Sequence, residues 1–182
     1  MLKRLFGRST ALHDAHALYG RVVTRARDPE LFRAFHVPDT FDGRFEMLVV
    51  HLFLLHNRLK DEDKVARETS QCVFDCFIDD MDAALREAAV GDQTVPKRIN
   101  KMTRVFYGRT GAFETALNAD DREGALAEVL SRNLEPEAEQ RADRTEFARY
   151  MLAEMRKLQA LDRDRIVKRA DIFADEGSLS DG

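Results

Sequence analysis

Four aspartates, Asp75, Asp79, Asp80 and Asp82, crowd one short stretch, and 75, 79 and 82 follow the i, i+4, i+7 spacing that places carboxylates on one helical face. Clustered oxygens are what a hard cation needs, and His51, His56, His13 and His16 together with Cys72 and Cys76 add nitrogen and sulfur to the inventory. Metal sites in helical bundles, however, use Glu-x-x-His pairs, and the sequence holds none. No Cys and His spacing completes a four-ligand zinc set either. The two thiols stand four apart in a helical pattern, neighbours without easy disulfide geometry, and read as reduced and inert. Nucleophile, base and orienting group occur together in no local signature, so the chain reads as a non-enzyme without a cofactor. The alternative is a helical metal-dependent enzyme, or a heme- or quinone-handling protein, built on the Asp75 to Asp82 acidic face. On the reading preferred here, that face is a solvated stripe turned toward a partner.

Charge reverses just beyond it. Residues 61–92 hold ten acids against three bases, a net of −7, whereas residues 93–113 hold five bases and no acid. The basic part, KRINKMTRVFYGR, interleaves Lys97, Arg98, Lys101, Arg104 and Arg109 with Met102, Phe106 and Tyr107, which suits an acidic protein face, RNA or anionic headgroups. The competing reading is a helix salt-bridged to its acidic neighbour. The candidate partner-binding residues are therefore Asp75, Asp79, Asp80, Asp82, Lys97, Arg98, Lys101, Arg104, Tyr107 and Arg109. Gly108 and Gly111, costly inside a helix, imply a close approach of another helix.

Periodicity supplies the elements that carry these residues. Apolar residues at three and four predict a helix over 10–27, and Asp28-Pro29 caps and starts a short one to Phe35. After Val37-Pro38, a helix over about 42–60 is apolar nearly all round, as a central core element must be. A helix from the Asp61 to Asp63 caps to about Val90 buries Val65, Thr69, Cys72, Val73, Cys76, Phe77, Met81, Ala84, Leu85 and Ala88, and Gly91 is its expected left-handed cap. Pro96 starts the next, to about Asn118; Asp120 or Asp121 caps another to about Asn133, and Glu135-Pro136 opens the last. The expected fold is all-α: a single-domain bundle of six to seven helices over 1–173, followed by a disordered acidic tail at 174–182.

Composition agrees. The 182 residues are 44% hydrophobic and 34% charged with 9 Gly and 4 Pro, favouring helix and one core. A formal net charge of −4 argues against DNA binding by bulk electrostatics. The most apolar run, Met47 to Leu55, falls far short of the roughly 20 residues a bilayer span needs.

Three segments in order, LYG at Leu18 to Gly20, VPDTFDGRFEMLVVHLFLL at Val37 to Leu55, and DDMDAALREAAVGDQTVPKRINKMTRVFYGR at Asp79 to Arg109, resemble the ubiquinol-cytochrome c chaperone family over roughly 18–117. The resemblance implies an all-helical assembly chaperone, not an enzyme, that binds nascent or newly inserted cytochrome b at the membrane during assembly of ubiquinol-cytochrome c reductase. It also brings in a ribosome or a second assembly factor as partners. The long N-terminal extension of mitochondrial members is missing, so the expectation is a bacterial member, cytoplasmic and peripheral to the inner membrane. An anionic membrane surface is a separate expectation, from the α-helical cations after Pro96 and from Leu2, Leu5 and Phe6.

Overall fold

The computed structural model describes the backbone of residues 2–88, 91, 93–135, 142–169 and 172–173, and side chains from Asp14 onward. Helices follow one another as α1 (Leu2–Ala26), α2 (Pro29–Ala34), α3 (Phe41–Leu59), α4 (Lys64–Glu87), α5 (Val95–Leu117), α6 (Arg122–Leu134), α7 (Thr145–Ala160) and α8 (Arg163–Arg169). No strand occurs among the described residues. The expected tail at 174–182 and the side chains of Leu2, Leu5, Phe6 and His13 lie outside them.

Polar residues start the helices by local chemistry. Asp28, Thr40, Asp63 and Asp121 each accept a hydrogen bond from a backbone N–H of the first turn, satisfying one of the donors a helix start leaves without a partner. At the start of α3, a Cβ on Gly43 would come 2.0 Å from the Pro38 carbonyl oxygen, so the turn from Val37 into the helix leaves no room for any side chain there.

α3 is the central element, packing against α1, α4, α5, α6 and α7. Met47, Val49, Val50, Phe53, Leu54, Leu55 and Leu59 are essentially without solvent contact, and each such side chain contributes about 1.5–3 kcal/mol of burial. Ala15, Leu18 and Val22 of α1, Val73 and Phe77 of α4, Phe113 of α5, Leu126 and Leu130 of α6 and Phe147 and Met151 of α7 close around it.

Several boundaries differ from the sequence expectation. α4 ends at Glu87, about 36 Å long, and Ala88 closes it with its N–H directed to the Ala84 and Arg86 carbonyls. Gly91 is not left-handed: no described glycine has a positive φ, and its carbonyl instead accepts the Thr94 N–H at 2.7 Å as the chain turns into α5. Val65 is 47% exposed, and Ala84 and Ala88 are also exposed; the Asp63 cap sets a helical phase in which Ala66, Thr69 and Val73 face inward. α7 begins at Thr145; Arg144 just before it has non-helical φ and ψ of −114° and 19° and donates to the Phe35 carbonyl at 2.6 Å and to Glu135 at 2.8 Å, while the expected opening at Pro136 lies outside the described residues. α8 raises the described helices to eight. Its Arg163 pairs with Asp63 at the start of α4, and Arg58 of α3 donates to the Leu158 and Leu161 carbonyls at the end of α7.

Candidate functional site

α4 and α5 meet through rings rather than charges. Phe74 and Phe77 of α4 stack against Phe106 at 4.9 and 5.8 Å between centroids, and Phe74 touches Tyr107 at 5.6 Å. Such contacts add about 0.5–1.5 kcal/mol beyond area burial. Between α3, α4 and α5 they leave a groove of ≈ 490 Å³ with Leu52, Leu55, Val73, Phe74 and Phe106 in its walls. Tyr107, 58% exposed, stands at its edge, and a Lys60–Glu114 ion pair at 3.1 Å bounds it elsewhere.

The acids of α4 are largely engaged by the fold. Asp80 accepts the Tyr19 hydroxyl of α1 at 2.7 Å and lies 4.0 Å from Arg27. Burial, followed by this bond to a carboxylate, raises the Tyr19 hydroxyl far above its ordinary range, so it remains a donor at all ordinary pH. Asp82 holds Arg86 one turn on at 2.5 Å, and Asp75 accepts from Gln71, a groove residue, at 2.9 Å. Asp79 is exposed.

On α5 the pattern is the reverse. Lys97, Arg98, Lys101 and Arg104 are exposed and make no ion pair or side-chain hydrogen bond among the described residues. Among the described residues, no ion pair joins the acids of α4 to the cations of α5. Lys97, Lys101 and Arg104 follow i, i+4, i+7 and point opposite Phe106 and Phe113, while Tyr107 lies on the flank toward α4. Gly108 and Gly111 likewise look outward, and a Cβ at either would meet nothing within 4 Å. The expected close helix approach is absent from both.

Arg109 alone among the nominated cations turns inward. Its Nε lies 2.9 Å from Oε2 of Glu46, an ion pair without the alignment of a hydrogen bond, while the other Glu46 oxygen accepts from Asn133 at 2.9 Å. This ties α3, α5 and α6 together. Glu46 is 1% exposed, and burial pushes its carboxyl up to about 7 against the downward pull of Arg109 and Asn133. Sequence reading passed over Glu46, although an acid at the edge of the apolar run of α3 calls for a buried cation.

Histidine and cysteine have structural surroundings. His51 is fully buried, with Nδ1 2.7 Å from the Met47 carbonyl and Nε2 2.7 Å from the Tyr150 hydroxyl, which also accepts from Arg25. Burial holds the imidazole near 4, hence neutral. Cys72 and Cys76 are not in a disulfide, and burial raises the thiol of Cys76. Among the described residues, no three His, Cys, Asp or Glu side chains gather as a metal site would require, and no helix is long and apolar enough to cross a membrane.

The family described as ubiquinol-cytochrome C chaperone matches residues 33–173. The match runs well past the 18–117 over which resemblance was legible, and it leaves Leu18 to Gly20 outside. Among curated relatives, ubiquinol-cytochrome-c reductase complex assembly factor 1 of Xenopus laevis is 24% identical over 64% of this chain and 58% of its own length. Its namesake from Drosophila melanogaster is 23% identical over 87% and 62%, so the chain spans about three fifths of these relatives. Both are named as assembly factors rather than enzymes. A crystal structure of the Cbp3 homolog from Brucella abortus matches over 100% of both chains, with a TM-score of 0.81 and 36% identity. The chain, whose described residues form eight helices with an exposed row of cations on α5, belongs to the ubiquinol-cytochrome c chaperone family.

Proposed function

We propose that the protein is a non-enzymatic assembly chaperone that holds newly made cytochrome b beside the membrane and promotes assembly of ubiquinol-cytochrome c reductase. Family membership supports the assembly role. The observation that supports client holding is the apolar groove between α3, α4 and α5, open to solvent and edged by Tyr107, in a fold whose other large side chains are nearly all covered. An apolar segment of a membrane protein, not yet inserted, has the chemistry that such a groove takes. Gly111, in the groove lining, keeps that surface of α5 low, so a helix backbone can approach it closely. Asp75 and Asp79 on one side and the α5 cations on the other give the bound segment an electrostatic direction. On this reading the protein works in the cytoplasm of a bacterium, peripheral to the inner membrane, with a ribosome or second assembly factor as further contacts.

Photoreactive side chains placed at Gly111 and, as a control, at Arg122 on the exposed side of α6 test it in intact cells. Crosslinks to pulse-labelled cytochrome b from position 111 and not from 122 are expected. Equal yields from both, or none from either, would sink the groove as client site.

A further inference from the structure

α5 begins against the usual rules. No acid stands in its first turn, Thr94 makes no side-chain cap bond, and Lys97 and Arg98 sit where the helix macrodipole is already positive. Each such cation costs the helix a few tenths of a kcal/mol or more. The fold recovers none of this, because neither these two nor Lys101 and Arg104 find a partner among the described residues. Lys97 to Arg104 covers about 10 Å, close to one Debye length in physiological salt, so the four charges act as one patch.

Beside the patch lies a cleft of ≈ 460 Å³. Arg98 and Lys101 line it together with Leu85, Met102 and Val105, and Phe41, 58% exposed, stands on its far side. Asp42 is the exposed acid of that cleft; Arg109, also in the lining, is held by Glu46. Phe41 also borders a second cleft of ≈ 710 Å³, whose Arg33 and Arg44 are neutralised by Glu30 and Asp39, with Arg27 4.0 Å from Asp80. Of the cations lining these two clefts, Arg98 and Lys101 of α5 are the ones without an ion pair among the described residues.

We infer that Phe41 and the Lys97 to Arg104 face form a docking surface for an anionic phospholipid bilayer, with headgroup phosphates on the cations and Phe41 entering the interface. A bare cation row beside an exposed apolar ring is the pairing that interfacial binding uses. An extended polyanion fits less well, because the acidic faces of a chain of net charge −4 would repel it. A flat membrane touches only the one face. The inference deepens the membrane-side reading above and rests on it for its purpose, while vesicle binding stands or falls without any client.

The experiment is co-sedimentation of the purified full chain with vesicles of equimolar phosphatidylcholine and phosphatidylglycerol, against phosphatidylcholine alone, at low and high salt. Binding to the mixed vesicles, released by salt, is expected, with neutral vesicles left bare. Replacing Lys97, Arg98, Lys101 and Arg104 together by Gln lowers partitioning roughly fivefold per cation, over a hundredfold in all, while circular dichroism and Tm show the fold intact. The chain contains no tryptophan, so Phe41→Trp is a unique reporter. Its emission shifts to the blue on mixed vesicles, whereas Tyr107→Trp, on the other flank of α5, does not. Absence of vesicle binding, equal binding by the fourfold variant, or an unshifted Phe41→Trp on bound protein would each overturn the inference. Cation-dependent binding to single-stranded RNA or polyglutamate, with the mixed vesicles left bare, would overturn it in favour of an acidic macromolecule.

Discussion

α4 and α5 lie side by side with opposite charge, yet the fold treats them differently. Asp80 is fastened to α1 through Tyr19, Asp82 to Arg86, and Asp75 to Gln71, so most of the acidic stripe helps to hold helices and turns in place. On α5 only Arg109 is used this way, through Glu46. Its four other cations have no ion pair among the described residues, and Lys97 and Arg98 stand in the first turn, where they are least favourable. The same contrast separates glycines. Gly43 is required by the Pro38 carbonyl, whereas a Cβ at Gly108 or Gly111 would meet nothing within 4 Å. Residues that lower stability without an internal reason mark the surface on which something outside the chain acts.

The contrast fixes the expected order of mutational effects. Arg109→Ala leaves Glu46 buried without its cation and is expected to cost about 3–5 kcal/mol near neutral pH in urea unfolding. That cost depends on pH. The folded Glu46 value, about 7, lies above its ordinary 4.5, so the neutral carboxyl favours the fold below 4.5 and this contribution fades as pH rises through 7. The Arg109→Ala loss is accordingly larger at about pH 8, where the carboxylate is charged, than at about pH 5. Equal losses at both would show that Glu46 is not the group responsible. Tyr19→Phe removes the bond to Asp80 and is expected to cost about 1–2 kcal/mol; no change in Tm would mean that the acidic stripe is not tied to α1. Gly108→Ala and Gly111→Ala are expected to stabilise by up to about 1 kcal/mol each, raising Tm by about 2–4 °C. A loss of stability there would reveal an internal contact. The smallest effect belongs to the fourfold Gln variant of Lys97, Arg98, Lys101 and Arg104. Its Tm is expected to hold or rise slightly; a fall of several degrees would show that these cations serve the fold after all.

Much of this architecture was legible in the sequence because it follows local rules. The apolar run of Phe45 to Leu55 announced the central helix, and Asp28-Pro29, the run Asp61 to Asp63, and the pair Asp120 and Asp121 announced starts that the structure places at Asp28, Asp63 and Asp121. Three features escaped because they depend on distant partners. Glu46 needs Arg109 and Asn133 to explain it, and periodicity alone does not bring those together. Arg144, just before α7, donates to the Phe35 carbonyl more than a hundred residues earlier. Gly108 and Gly111 were read as internal packing, since sequence shows the cost of a helical glycine but not which way it faces. Of the candidate surface, the charge reversal and its residues were visible; that the two charged helices join through Phe74, Phe77, Phe106 and Tyr107 instead of ion pairs was not.

The chaperone role itself is decided by the heme absorbance of cytochrome b in membranes from cells that lack the gene and are complemented with the wild-type chain or with Gly111→Leu. The substituted side chain meets open space in the free protein, so its Tm should hold or rise while the groove edge is obstructed. Cytochrome b is expected to be depleted without the gene, restored by the wild-type chain, and left depleted by Gly111→Leu at equal protein abundance. Undiminished cytochrome b in cells lacking the gene would contradict the chaperone role, and full restoration by Gly111→Leu would contradict the groove.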